Sequence, residues 1–231
     1  MPAQSKFIAV SRERVLALMF VLFASTMWTT QAHSQGDSNS CGHISNDYGP
    51  FDYRTQRDKL KIVEEYHLTP EVEALIKGHT GTIAADLAYT LHTSPNHHRA
   101  LMAMVRLTEK LKDPQPRGMP FPVECYFDRA IRFVPDDTVV RILYAQFLTK
   151  RGRTSEALKQ LEAAVFYAKD KAFSHYNIGL AYFDLKEYDK ALAQAHKALE
   201  LGFDRTELAD QLKRVNKWQE PVNSDVPKTA N

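Results

Sequence analysis

A pattern of small and large residues repeats at a spacing of 34 in the C-terminal half, and it constrains the fold more than any other feature. Residues 172–203 read AFSHYNIGLAYFDLKEYDKALAQAHKALELGF. Two helices separated by the polar turn Lys186-Glu187 fit this stretch. Gly179, Ala191 and Ala198 are small where two helix backbones must approach, and Ile178, Tyr182 and Tyr188 fill the space between. One period upstream the register returns without a gap. Ala145 matches Gly179, Leu148 matches Tyr182, Ala157 matches Ala191 and Ala164 matches Ala198, with Gly152 in the turn. Such self-similarity means that no helix pair buries its apolar face alone, so neighbouring pairs must stack.

A third unit precedes these two. Pro135-Asp136-Asp137 closes it, and Phe127 and Ala130 fall one period before Leu161 and Ala164. Its first helix is displaced upstream, to the junction Ser94-Pro95-Asn96-His97-His98. The Pro/Gly-rich stretch 112–122 reads as a loop inserted between its two helices. Residues 83–92 read as the second helix of a degenerate pair. Thr69-Pro70 places an N-cap before Pro at the first helical position, so a short helix starts there. Downstream, Leu208, Leu212 and Val215 form one apolar stripe over 206–218 with polar residues elsewhere, as a terminal cap requires.

These residues resemble the tetratricopeptide repeat (TPR), whose pattern is large-x-x-Leu-Gly-x-x-Tyr followed by Ala, an aromatic and Ala. The departures are His175, Ala195 and Phe203. The resemblance extends over roughly 83–218 and is strongest in 172–205. It implies an all-α, right-handed TPR-type α-solenoid of about three helix pairs plus a C-terminal capping helix, with an irregular N-terminal arm. The expected layout is an arm at 33–68 and a helical domain at 69–219. Within that domain the repeats fall at about 98–137, 138–171 and 172–205, followed by a cap at 206–219. A disordered tail is expected at 220–231. The arm holds Tyr48-Gly49-Pro50-Phe51-Asp52-Tyr53, too aromatic for a plain linker, and is expected to pack on the solenoid. Arm and junction also resemble those of exported bacterial members of the family.

The first residues are expected to be removed. Lys6, Arg12 and Arg14 precede the uncharged run 15–24, and Thr30-Gln31-Ala32 ends in small residues suited to a signal peptidase. The run is short of the roughly 20 residues that span a bilayer, so 1–32 reads as a secretory signal peptide rather than an anchor. After cleavage no transmembrane segment is expected, and the protein is placed in the periplasm or outside the cell. Taking three bases and one acid from 30 Lys+Arg and 28 Asp+Glu leaves 27 of each. That balance and the export signal disfavour nucleic acid. The two cysteines, Cys41 and Cys125, both survive cleavage. In an oxidising compartment they are expected to form one disulfide, two free thiols being the alternative.

No catalytic residue, metal ligand or cofactor motif stands out. His97 and His98 are adjacent, so on a helix their side chains diverge and cannot chelate one ion; a capping or packing role suits them better. Glu64-Glu65 reads as solvated surface, and Asp136-Asp137 suits a helix N-terminus. No nucleophile elbow, H-E-x-x-H, P-loop or G-x-G-x-x-G is present. The expectation is a chain that is not an enzyme and needs no cofactor.

The resemblance places a partner-binding groove along the first helix of each repeat. The matching positions are Arg99, Met102, Arg106 and Lys110, then Ile142, Gln146 and Lys150, then Phe173, Tyr176, Leu180 and Phe183, with Glu109, Val139, Thr149 and Asp184 beside them. One end is basic and the other aromatic, unless the arm or the cap covers the aromatics. Met102, Arg106 and Leu143 depart from the Lys and Asn residues by which some members grip a C-terminal carboxylate. The function this implies is a noncatalytic exported adaptor that binds a protein or peptide of the cell envelope. The alternative is a structural subunit of an envelope assembly that binds through its arm or convex face.

Overall fold

In a computed structural model of the chain, residues 41–221 are described. The leader at 1–32 and most of the expected tail lie outside the described residues. The described residues form ten helices and no strand. These are α1 (Arg57–His67), α2 (Pro70–Glu73), α3 (Ile83–Thr93), α4 (His98–Leu111) and α5 (Val123–Phe133). They continue as α6 (Thr138–Lys150), α7 (Thr154–Ala168), α8 (Ala172–Asp184), α9 (Tyr188–Glu200) and α10 (Glu207–Arg214). Consecutive helices pack as α6 on α7 and α8 on α9, while the first helices α4, α6 and α8 lie side by side. The fold is a TPR-type α-solenoid.

The periodic small residues are where the helices meet. Ala157, Ala164, Ala191 and Ala198 are all 1% exposed or less. Around them Phe127, Phe147, Leu148, Leu161 and Ile178 form a continuous core. Gly179 admits the cap as well as its own partner helix. A Cβ there would lie 2.4 Å from Leu208 Cδ2 of α10 and 3.3 Å from Gln194 Cβ of α9.

The turn inside each repeat closes the preceding helix in one way. In the second repeat Arg153 N donates to Leu148 O at 3.0 Å and Gly152 N to Thr149 O at 3.0 Å, with Gly152 at φ +70°. In the third, Glu187 N donates to Tyr182 O at 3.0 Å and Lys186 N to Phe183 O at 2.9 Å, but the left-handed residue is Lys186. Both are Schellman closures, which satisfy carbonyls that the helix end would orphan.

Two regions differ from the sequence expectation. The arm is not irregular throughout, since 57–67 is the helix α1. Only Leu60 and Val63 of it are buried, packed toward α3, and the charges around them hide the amphipathic stripe. The C-terminal stripe also stops early, at Arg214. Asn216 takes φ +55°, Lys217 N bonds Leu212 O at 2.8 Å, and Val215 is left 37% exposed. The chain then turns so that Trp218 meets His196 edge-on at 5.3 Å.

The arm is tied down by covalent and polar links. Cys41 and Cys125 of α5 are disulfide-bonded across 84 residues. Phe51 N donates to Thr93 O at 2.9 Å. Asn96, fully buried, accepts from Tyr53 N at 3.1 Å and donates to Asp52 Oδ1 at 2.8 Å and Asp137 Oδ2 at 2.9 Å. Asp137 caps α6 by accepting from Val139 N and Val140 N, and His98 Nε2 lies 2.8 Å from it. His97 is the N-cap of α4. Its Nδ1 accepts from Ala100 N at 3.2 Å, so Nε2 carries the proton and donates to Glu64 Oε1 at 2.9 Å.

Candidate functional site

The side-by-side packing of α4, α6 and α8 leaves a groove of about 540 Å³ on their shared face. Its walls are apolar, from Met102 and Val105 of α4, Leu143 and Phe147 of α6 and Ala181 of α8, and Phe127 of α5 adds to the lining. Its polar residues are Arg106, Gln146, Thr149, Lys150 and Asp184. Met102 is 44% exposed, a large apolar side chain facing open space.

The expected groove residues divide into four groups. Met102, Arg106, Gln146 and Lys150 line the groove together. Arg99 and Lys110 turn away toward α2 and the loop after it. Arg99 Nε donates to Glu73 Oε1 at 2.9 Å, and Lys110 Nζ to Leu75 O at 3.1 Å. Ile142 sits in the core at 7% exposure. At the aromatic end Tyr176 is covered: it is 5% exposed, its hydroxyl donates to Glu207 Oε2 at 2.9 Å, and Phe203 packs on it at 4.9 Å. Phe203 stands where the repeat pattern has Pro, and its ring also meets Phe173 edge-on at 5.7 Å. Phe173 remains 58% exposed beside it. Phe183 packs on Tyr188 at 5.3 Å, and Leu180 and Phe183 are both half-buried against the core.

The electrostatics of the groove are uneven. Lys150 Nζ pairs with Glu109 at 3.2 Å, and Arg106 Nη2 donates to Glu73 O at 3.0 Å. Asp184 is exposed and has no ion-pair partner among the described residues, and partial desolvation beside the groove wall raises its carboxyl above the usual range. A carboxylate in that position gains from a cation brought by a ligand. Phe127 and Leu143 are not among the groove residues expected from the sequence, which gives the first as a repeat position and the second as a departure from the carboxylate-gripping pattern, yet both lie along the groove wall.

Residues 172–202 match the family model of the tetratricopeptide repeat. That stretch of the chain carries a tetratricopeptide repeat. No curated protein matches the chain. A tetratricopeptide repeat suggests a protein–protein interaction role, since stacked helix pairs present an extended concave surface. Among the described residues no group of three or more His, Cys, Asp or Glu side chains is placed to hold a metal ion. Among the same residues no helix is long and apolar enough to cross a membrane. The disulfide fits a compartment in which thiols are oxidised.

Proposed function

We propose that this TPR protein is a noncatalytic, exported adaptor that takes a segment of a cell-envelope protein in the groove between α4, α6 and α8. The observation that carries this reading is the groove itself. It is an apolar trough of about 540 Å³ with Arg106, Lys150 and Asp184 among its lining residues. The helices that form it are held by a packed core, so little of the protein is ordered on binding and the partner bears most of the entropy cost. An apolar anchor beside Met102 and Leu143, flanked by a basic group reaching Asp184, suits these walls. The binding surface is centred on Met102, Arg106, Gln146 and Lys150, with Thr149 and Asp184. Tyr176 supports the cap rather than a partner.

The test is photocrosslinking in intact cells from a photoreactive residue at Gln146, with Glu200 as the control. We expect a partner crosslinked from Gln146 and not from Glu200, and at least tenfold less of it when Met102→Glu and Lys150→Glu are combined. Crosslinking that survives both substitutions, or equal crosslinking from Glu200, would overturn the groove assignment. One observation favours the alternative, an envelope subunit that binds outside the groove: Phe166 on α7 is 74% exposed. In that case Phe166→Ser, and not Met102→Glu, abolishes association.

A further inference from the structure

Arg129 lies on α5, away from the groove, and is 1% exposed. Its Nη1 donates to the carbonyls of Cys41 and His43, and its Nη2 approaches His92 Nδ1 at 3.4 Å. Among the described residues no carboxylate stands within ion-pair range of it. The nearby Asp128 is taken by Arg132 at 2.7 Å, and Arg132 adds a second positive charge. A buried guanidinium balanced by carbonyl dipoles, the His92 ring nitrogen and the Phe121 ring, 5.5 Å from its Cζ, but by no carboxylate, is costly, because partial charges do not replace a counter-ion.

The same guanidinium lines a cavity of about 240 Å³ between α3, the 112–122 loop and α5. Tyr126 lines it too. It is 3% exposed, and its hydroxyl has no well-formed hydrogen bond, with only the Phe121 backbone nearby. His92 is the third polar group; it is exposed, and partial desolvation with the Arg129 charge disfavours its charged form. Asp47 is the acid whose field reaches His92. Tyr89 also lines the cavity, and the rest of the wall is apolar, chiefly Ala85, Ala88 and Phe121. A cation without a counter-ion and a hydroxyl without a partner converge on one small apolar cavity.

We propose that this cavity binds a carboxylate carried on a small apolar body, as a free organic acid or as the C-terminal residue of a peptide. The carboxylate would complete the charge on Arg129 and accept from the Tyr126 hydroxyl, while the apolar part fills the alanine-lined wall. The cavity shares no lining residue with the α4–α6–α8 groove, so this inference stands independently of the proposed function.

Isothermal titration of the disulfide-bonded protein with benzoate, and with the uncharged benzamide as isostere, tests it. Benzoate should bind at least tenfold more tightly than benzamide, and Tyr126→Phe should weaken benzoate about tenfold. This variant removes one hydroxyl and keeps the ring, so the fold persists, which circular dichroism checks. Substitution of Arg129 is avoided because it would disturb the core. Equal binding of the two probes, absence of benzoate binding, or an unchanged affinity in Tyr126→Phe would each overturn the proposal. A short peptide ending in Phe, compared with its amidated form, distinguishes the two sources. Tighter binding of the free-carboxylate peptide than of benzoate points to a peptide end, and the reverse to a free acid.

Discussion

Asn96 joins three parts of the chain through one side chain. Both amide protons and the carbonyl oxygen are used, toward Asp52, Asp137 and Tyr53 N. Because the side chain is fully buried, Asn96→Ala leaves those three partners with an unmade bond each. We expect a loss of about 2–4 kcal/mol in urea denaturation. The same cluster sets the acid response. At Asp52 burial opposes ionisation, but hydrogen bonds from Arg54 and Asn96 outweigh it and hold the carboxyl at about 2. A carboxyl depressed on folding stabilises above its unfolded value, near 4, and that stability disappears as pH falls toward 2, at most about 2 kcal/mol here. His97 acts in the same direction. Burial keeps it neutral against the pull of Glu64, so the unfolded chain gains protons as pH falls below about 6.5. The urea midpoint should therefore fall steadily from pH 7 to pH 2, and Arg54→Met should flatten the part below pH 4. An unchanged profile in Arg54→Met would count against this origin. The roles of His97 and Asp137 as helix starters followed from their positions beside apolar-periodic segments. That Asn96 would link both of them to the arm did not, because its partners are more than forty residues away.

At the scale of the helix, the repeat turns differ in one residue. Gly152 and Lys186 hold the same left-handed position in successive repeats, at φ +70° and +61°. Glycine takes that conformation freely, whereas a side chain costs roughly 1 kcal/mol. Lys186→Gly should therefore stabilise the protein by about 1 kcal/mol, and Gly152→Ala should destabilise it by a similar amount, both read from thermal unfolding. No change in either variant would show that the strain is absorbed elsewhere in the turn. The helices that were easiest to read, α6 to α9, follow the 34-residue period closely. The helix α1 is not legible in the sequence because it buries only Leu60 and Val63, too few positions to stand out among charges. The stripe of Leu208, Leu212 and Val215 suggests a longer cap helix than the one that forms, because Asn216, not an apolar break, ends it.

At the scale of the whole molecule, the disulfide closes an 84-residue loop that holds the start of the arm against α5. Chain entropy gives a ceiling of about 4–5 kcal/mol for such a loop. Replacing Cys41 and Cys125 with Ser should lower unfolding free energy by several kcal/mol, and groove crosslinking from Gln146 should survive, since no arm residue lines the groove. Loss of crosslinking with an intact helical spectrum would instead place the arm in control of the groove. The helix pairs and their stacking order were legible from the residues alone, because each repeat's packing is local and its small residues recur at one period. Which side of the stack stays open was not. Tyr176 and Met102 hold equivalent positions in the repeat pattern, yet Phe203 and Glu207 close over the first while the second faces the groove. The closing residues lie outside the repeat that they cover, and so does Arg129's setting, where the Cys41 and His43 carbonyls arrive from the arm. Local periodicity dictates how a helix pair folds. Only contacts between distant segments decide which of its surfaces remains available to a partner.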